Sequence, residues 1–203
     1  MKAMIIKDML CLRHQAKSVL LVLLVWLVIS LTTASGLFFC ALSIIYVIIL
    51  PMATLSYDER AHWDSRALTM PVTRVQMVLS RYAVALLLGL GMLLLGAVVT
   101  LFTDGVGSLP LCLAFFMAGV FLLSLGMPLM LKLGVEKARI LVALCYLLPF
   151  GLMLLAEQLG ADVEGFLKDL AGAKAAATGT ALVLLALCLS VLISIGIYRK
   201  KEF

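Results

Sequence analysis

From Ser18 to Tyr57 the chain runs for 40 residues without a charged side chain. One membrane crossing needs only about 17–25 apolar residues at ~1.5 Å each. The run is therefore too long for one crossing and right for two. A turn belongs at Thr32-Thr33-Ala34-Ser35-Gly36, the only small and polar cluster inside it. Composition says the same of the whole chain. It is 65% apolar and 13% charged, against about half and about a quarter for a soluble domain. This excludes a soluble globular enzyme, a disordered tail and a nucleic-acid-binding domain. The net charge of +5 does not suggest nucleic acid either, because the charges sit in short clusters between apolar runs.

The pattern predicts an all-α, polytopic membrane protein with six transmembrane helices in a single domain over 1–203. The spans fall at about 18–34, 37–57, 81–103, 108–131, 140–156 and 175–198. Asp104-Gly105-Val106-Gly107 reads as the tight turn between the third and fourth. Six spans put both termini on one side, and Lys and Arg decide which. Lys2, Lys7, Arg13 and Lys17 precede span 1, and Arg60, Arg66, Arg74 and Arg81 lie between spans 2 and 3. Lys132, Lys137 and Arg139 follow span 4, and Arg199, Lys200 and Lys201 follow span 6. Only Lys168 and Lys174 fall on the other face. The crowded face is expected to be cytosolic, with both termini inside. Residues 1–36 also have the layout of a cleaved signal peptide. The leading segment is long and carries Asp8, so it is expected to stay.

Three segments are not spans. Residues 1–17 place Ile5, Met9 and Leu12 at i, i+4, i+7, with Lys2, Lys7, Asp8, His14 and Gln15 away from that stripe. They predict a helix lying in the cytosolic interface with its lysines toward anionic headgroups. Residues 157–174 repeat Leu159, Val163, Phe166, Leu167 and Leu170 at helical spacing, which predicts an external amphipathic helix. Residues 58–74 concentrate charges, Trp63 and His62. Pro71 biases Met70 away from helix, so this loop reads as helix, break, then helix into span 3, with Thr69 or Thr73 as the second cap. Topology alone accepts an ordinary basic loop here. A compact surface of mixed charge with an aromatic points to docking.

No span interior holds Asp, Glu, Lys, Arg or His, which argues against proton coupling. No P-loop occurs, so the chain is expected to have no nucleotide site, cofactor or metal of its own. The five cysteines, Cys11, Cys40, Cys112, Cys145 and Cys188, show no paired spacing and are expected to be packing residues. Gly89, Gly91, Gly96, Gly119 and Gly126 let helix backbones approach closely.

Tyr57-Asp58-Glu59, Trp63-Asp64, Met70-Pro71-Val72-Thr73-Arg74 and Arg81-Tyr82 together resemble the ABC-2 type permease family, in its small six-span bacterial branch. Ile6-Lys7-Asp8-Met9-Leu10 resembles the start of that branch. Met70, Thr73 and Arg81 stand where Leu, Ser and Lys are usual. The resemblance implies a membrane-spanning permease subunit of an ATP-driven transporter in the bacterial cytoplasmic membrane. Relatives of this size export peptides, toxins or drugs. It implies two copies of a separate ABC ATPase, which hold the ATP and Mg, and a second permease copy or a sister permease. Asp58, Glu59, Arg60, Trp63, Asp64 and Arg66 would form the coupling helix that docks on the ATPase, with Arg74 and Arg81 anchoring span 3 at headgroup phosphates. The competing classes are an ion-gradient-driven secondary transporter or channel, and a membrane enzyme or assembly factor with its site on the 57–74 or 157–174 segment.

Overall fold

The computed structural model describes residues 2–33, 35–61, 63–67, 73–158 and 173–200. Among them every regular element is a helix. These are α1 (Lys2–Thr32), α2 (Leu37–Arg60), α3 (Trp63–Ala67), α4 (Arg74–Thr103), α5 (Leu109–Leu133), α6 (Val135–Gln158) and α7 (Ala173–Lys200), with one 3₁₀ turn at Val106–Ser108. Among the described residues, four stretches are long and apolar enough to cross a membrane: Phe39–Arg60, Arg74–Thr103, Val106–Leu133 and Ala177–Lys200. The two halves of α1, Met4–Arg13 and Lys17–Thr32, are bent by 68° and make a fifth if taken together. Residues 159–172, where the external amphipathic helix was expected, lie outside the described residues, as do Met70, Pro71 and His62.

The long helices alternate in direction. At one end Met4 meets Ser80, and Arg74 meets Tyr198 and Arg199. At the other, Gly36 meets Asp104 and Cys40 meets Thr100. The bundle thus has a charged end, holding the start of α1 and the last residues of α7, and an opposite end holding the α1–α2 and α4–α5 turns. α2 and α5 sit at its centre: α2 packs on α1, α4, α5 and α6, and α5 on α2, α4, α6 and α7. Their buried residues, among them Val47, Ile48, Leu123 and Met127, meet Val78 and Ala85 of α4, Ala138 of α6 and Tyr198 of α7 in one core.

The outer surface stays apolar, as a lipid solvent demands. Leu20, Leu21, Leu24 and Val28 of α1, Leu87, Leu94 and Val98 of α4, and Leu182, Leu185 and Leu192 of α7 are all exposed. Inside, polar groups pair across helices. The Tyr82 hydroxyl lies 2.6 Å from Ser190 Oγ and 2.8 Å from Ser194 Oγ. Ser190 donates in turn to the Ser124 carbonyl. With no water in the hydrocarbon, such hydroxyls find partners on neighbouring helices.

The glycines divide. Gly89 sits against Val47 and Phe116, and Gly96 against Cys40 and Cys112, whereas Gly91 faces open space. The cysteine expectation needs a correction. Cys40 of α2 and Cys112 of α5 form a disulfide, with Cα atoms 5.3 Å apart and a sequence separation of 72. Sequence spacing conceals the pair because packing of two distant helices, not local chain geometry, brings the thiols together. Cys11, Cys145 and Cys188 are free. Thiol-reactive labelling of the denatured, unreduced protein is expected to modify those three cysteines, and reduction is expected to add two more. Labelling of all five without reductant would contradict the bridge.

Candidate functional site

The charged end is built where three helix ends and α3 converge. α2 runs on past Tyr57 as helix to Arg60, so Asp58 and Glu59 leave it one residue apart and point to different neighbours. α3 follows within three residues. α4 then starts at Arg74, two turns before the expected membrane entry at Arg81. Thr73 caps it with a reciprocal box: Gln76 N donates to Thr73 Oγ1, and Thr73 N donates to Gln76 Oε1, both at 3.3 Å. The box sets where α4 begins and thereby puts Arg81 beside the end of α2.

Asp58 is the hub. It is 6% exposed. Lys7 Nζ donates to its Oδ1 at 2.6 Å, and Arg81 Nη2 reaches its Oδ2 at 3.4 Å. Lys7 also lies 2.9 Å from Asp8 Oδ1. Two buried carboxylates are thus interleaved with two cations, which lets charge persist at low exposure. Burial pushes the Asp8 carboxyl above its ordinary range, and the neighbouring Lys7 ammonium opposes that shift. The Lys7 ammonium sits 4.7 Å from the centre of the Trp63 ring, and the Arg81 guanidinium 5.5 Å from that of Tyr198. The cluster encloses a void of only about 10 Å³.

These contacts turn several expected surface groups inward. Lys7 faces Asp58 and not the headgroups, while the apolar Ile6, Met9 and Leu10 of the same helix are exposed. Trp63 packs on the core, and Ala67 beside it on α3 is fully buried. Arg81 is 7% exposed and joins the ion cluster. Arg74 donates through Nη1 to the carbonyls of Arg199 at 2.7 Å and Tyr198 at 3.4 Å, a cation on the carbonyl end of α7. Both arginines expected as headgroup anchors therefore have protein partners. Glu59 accepts from the Val135 amide at 3.1 Å through both oxygens. It caps the start of α6, where free amides and the helix dipole favour an anion. Arg60 and Arg66 remain exposed, and Asp64 occupies the second position of α3.

Lys7, Asp8 and Tyr198 are the members of this site that sequence reasoning did not place in it. The available signal was Asp8 itself, a lone carboxylate in an otherwise basic amphipathic helix.

A model of the ABC-2 family transporter proteins matches residues 3–199, nearly the whole chain. The chain belongs to the ABC-2 transporter family. ABC-2 proteins are membrane subunits without an ATPase site of their own, and they normally work with an ABC ATPase. No curated protein and no solved structure matches this chain. At the charged end of this ABC-2 membrane protein, ion pairs join α1, α2 and α4, and α3 is held to them by the Trp63 ring against Lys7. Replacing Glu59 with Gln is expected to lower stability by about 0.5–1 kcal/mol, the scale of a lost charge at a helix start. Thermal unfolding in mild detergent reads this, and an unchanged midpoint would remove the capping role.

Proposed function

We propose that this chain is the permease half of an ABC exporter of the small six-span branch, seated in the bacterial cytoplasmic membrane with both termini and the charged end in the cytosol. Two copies, or one copy and a sister permease, form the pathway. Two separate ATPase subunits hold ATP and Mg and dock on residues 58–74. The observation that supports this reading is the seating of α3 on the ion cluster: ion pairs join α1, α2 and α4, and α3 rests on them through Trp63 over Lys7 and through buried Ala67, so a push on α3 reaches the long helices.

The geometry divides the work of the loop. Arg66 and the outer face of α3 meet the ATPase. Trp63, Asp58 and Glu59 face inward and pass the motion on: Trp63 to the α1 segment through Lys7, Asp58 to α4 through Arg81, and Glu59 to α6 through its capped amides. When the ATPases close on ATP, α3 follows, and α2, α4 and α6 tilt with it to open the interface between copies outward. The charge-free spans suit an apolar or amphipathic cargo such as a peptide, toxin or drug.

The first experiment is purification of this chain from its native membranes in mild detergent, assayed for vanadate-sensitive ATP hydrolysis. An ATPase subunit is expected to come with it. Arg66→Glu is expected to reduce the copurifying ATPase by about tenfold, as loss of a central interface arginine does, with the unfolding midpoint of the spans measured beside it to separate lost docking from lost stability. A chain that comes out alone and inert, yet carries cargo into liposomes on an ion gradient, would replace this reading with a secondary transporter.

A further inference from the structure

A second feature of the charged end is independent of the ATPase reading. Between α2 and α6 lies a cleft of about 750 Å³, within the size range of ligand sites. Its walls are apolar, with Ile49, Met52 and Ala53 on one side and Val142 and Ala143 on the other. Arg60, the last residue of α2, and Arg139, in the second turn of α6, lie at its charged end. Among the described residues, no Asp or Glu lines it and neither arginine makes an ion pair. Both are exposed. The acid next to Arg60 in sequence, Glu59, is committed to the Val135 amide.

The length of the cleft is informative. Its α2 wall descends from Ile45 through Ile49, Ala53 and Ser56 to Arg60, one face of a helix at steps of three or four residues. Fifteen residues of α-helix span about 22 Å, more than the ~15 Å of half a hydrocarbon core. An apolar slot the depth of one leaflet, with two arginines at its polar mouth, complements the charge and matches the dimensions of an anionic amphiphile standing upright. Arginine is the side chain whose planar fork suits phosphate oxygens. Exposed isoleucine and leucine on the rim, Ile45, Ile49 and Leu147, leave the slot open sideways to the acyl region.

We infer that this cleft is a binding site for one anionic phospholipid, its phosphate held by Arg60 and Arg139 and an acyl chain laid between α2 and α6. The site binds a molecule of the surrounding leaflet and needs neither ATP nor cargo.

Native mass spectrometry of the purified full chain, titrated separately with phosphatidylglycerol and phosphatidylcholine, tests it. The wild type is expected to retain phosphatidylglycerol with about tenfold preference, which is about 1.4 kcal/mol of discrimination. Arg60→Gln with Arg139→Gln is expected to bring the two lipids level, whereas the Lys pair at the same positions keeps most of the preference. Arg13→Gln, an exposed basic residue away from the cleft, is expected to change nothing. Ala143→Trp, which fills the slot, is expected to weaken both lipids together. An undiminished preference in the double Gln variant overturns the site. So does efficient cross-linking of two chains through Leu147→Cys in membranes, because a second copy would then cover the cleft.

Discussion

Replacing Asp58 with alanine is expected to destabilise the bundle by about 3 kcal/mol, the lower part of the range for breaking a buried ion pair from one side. Asp58 serves two cations at once, Lys7 at 2.6 Å and Arg81 at 3.4 Å. Its loss leaves Asp8 as the one carboxylate against two cations in a nearly closed space. The Lys7 side chain is 23% exposed and can recover some hydration, but that of Arg81, at 7%, cannot. That difference is why the lower figure applies and why Lys7→Met should cost less than Asp58→Ala. Asp58→Asn keeps the shape and loses only the charge, so it should fall between. Thermal unfolding in mild detergent orders the three. If Asp58→Ala melts with the wild type, the cluster does not hold the charged end together, and the transmission path proposed through it fails as well.

Gly36→Ala is expected to be the most damaging added methyl among the described glycines, at about 2–3 kcal/mol, the upper part of the usual overpacking range. An added Cβ would stand 2.5 Å from the Thr100 Cα and 2.9 Å from its amide nitrogen. These are backbone atoms inside α4, so no rotamer change relieves the clash. The turn between α1 and α2 would have to lift away from α4. That would break the bond from the Gly36 amide to Asp104 Oδ2, 2.7 Å long. Two other glycines calibrate the effect. At Gly89 the closest atom is the Val47 Cγ2 at 2.8 Å, a side-chain methyl that can yield in part. At Gly91 nothing lies within 4 Å, and alanine there should be neutral or slightly stabilising through helix propensity. The expected order of unfolding midpoints is Gly91→Ala, then Gly89→Ala, then Gly36→Ala lowest. Equal midpoints for Gly36→Ala and Gly91→Ala would mean that the turn does not pack on α4 as described.

The sequence by itself determined the class of this protein. Long charge-free runs leave no soluble alternative, because their side chains need a lipid or protein interior and their backbone must satisfy itself as helix. Family membership was legible too, since it rests on short motifs around 57–82 whose residues are near one another in the chain. Thr73 could be read as a helix cap for the same reason, because a cap and its partners lie within three residues. What the tertiary structure alone decided is direction and partnership. Asp58 and Glu59 are adjacent and alike in sequence, yet one turns to Lys7 and Arg81 and the other to the start of α6. Trp63 and Arg66 share one short helix, yet only the arginine faces out. Arg81 looked like a headgroup anchor because it opens a span, and it became an ion-pair partner because the end of α2 reaches it. Lys7 meets Asp58 across 51 residues of chain, Cys40 meets Cys112 across 72, and Arg74 meets Arg199 across 125. Hydrophobic period and capping are local quantities and can be read along a chain. Which helix lies beside which, and hence which charge finds which, follows from packing that no local pattern encodes.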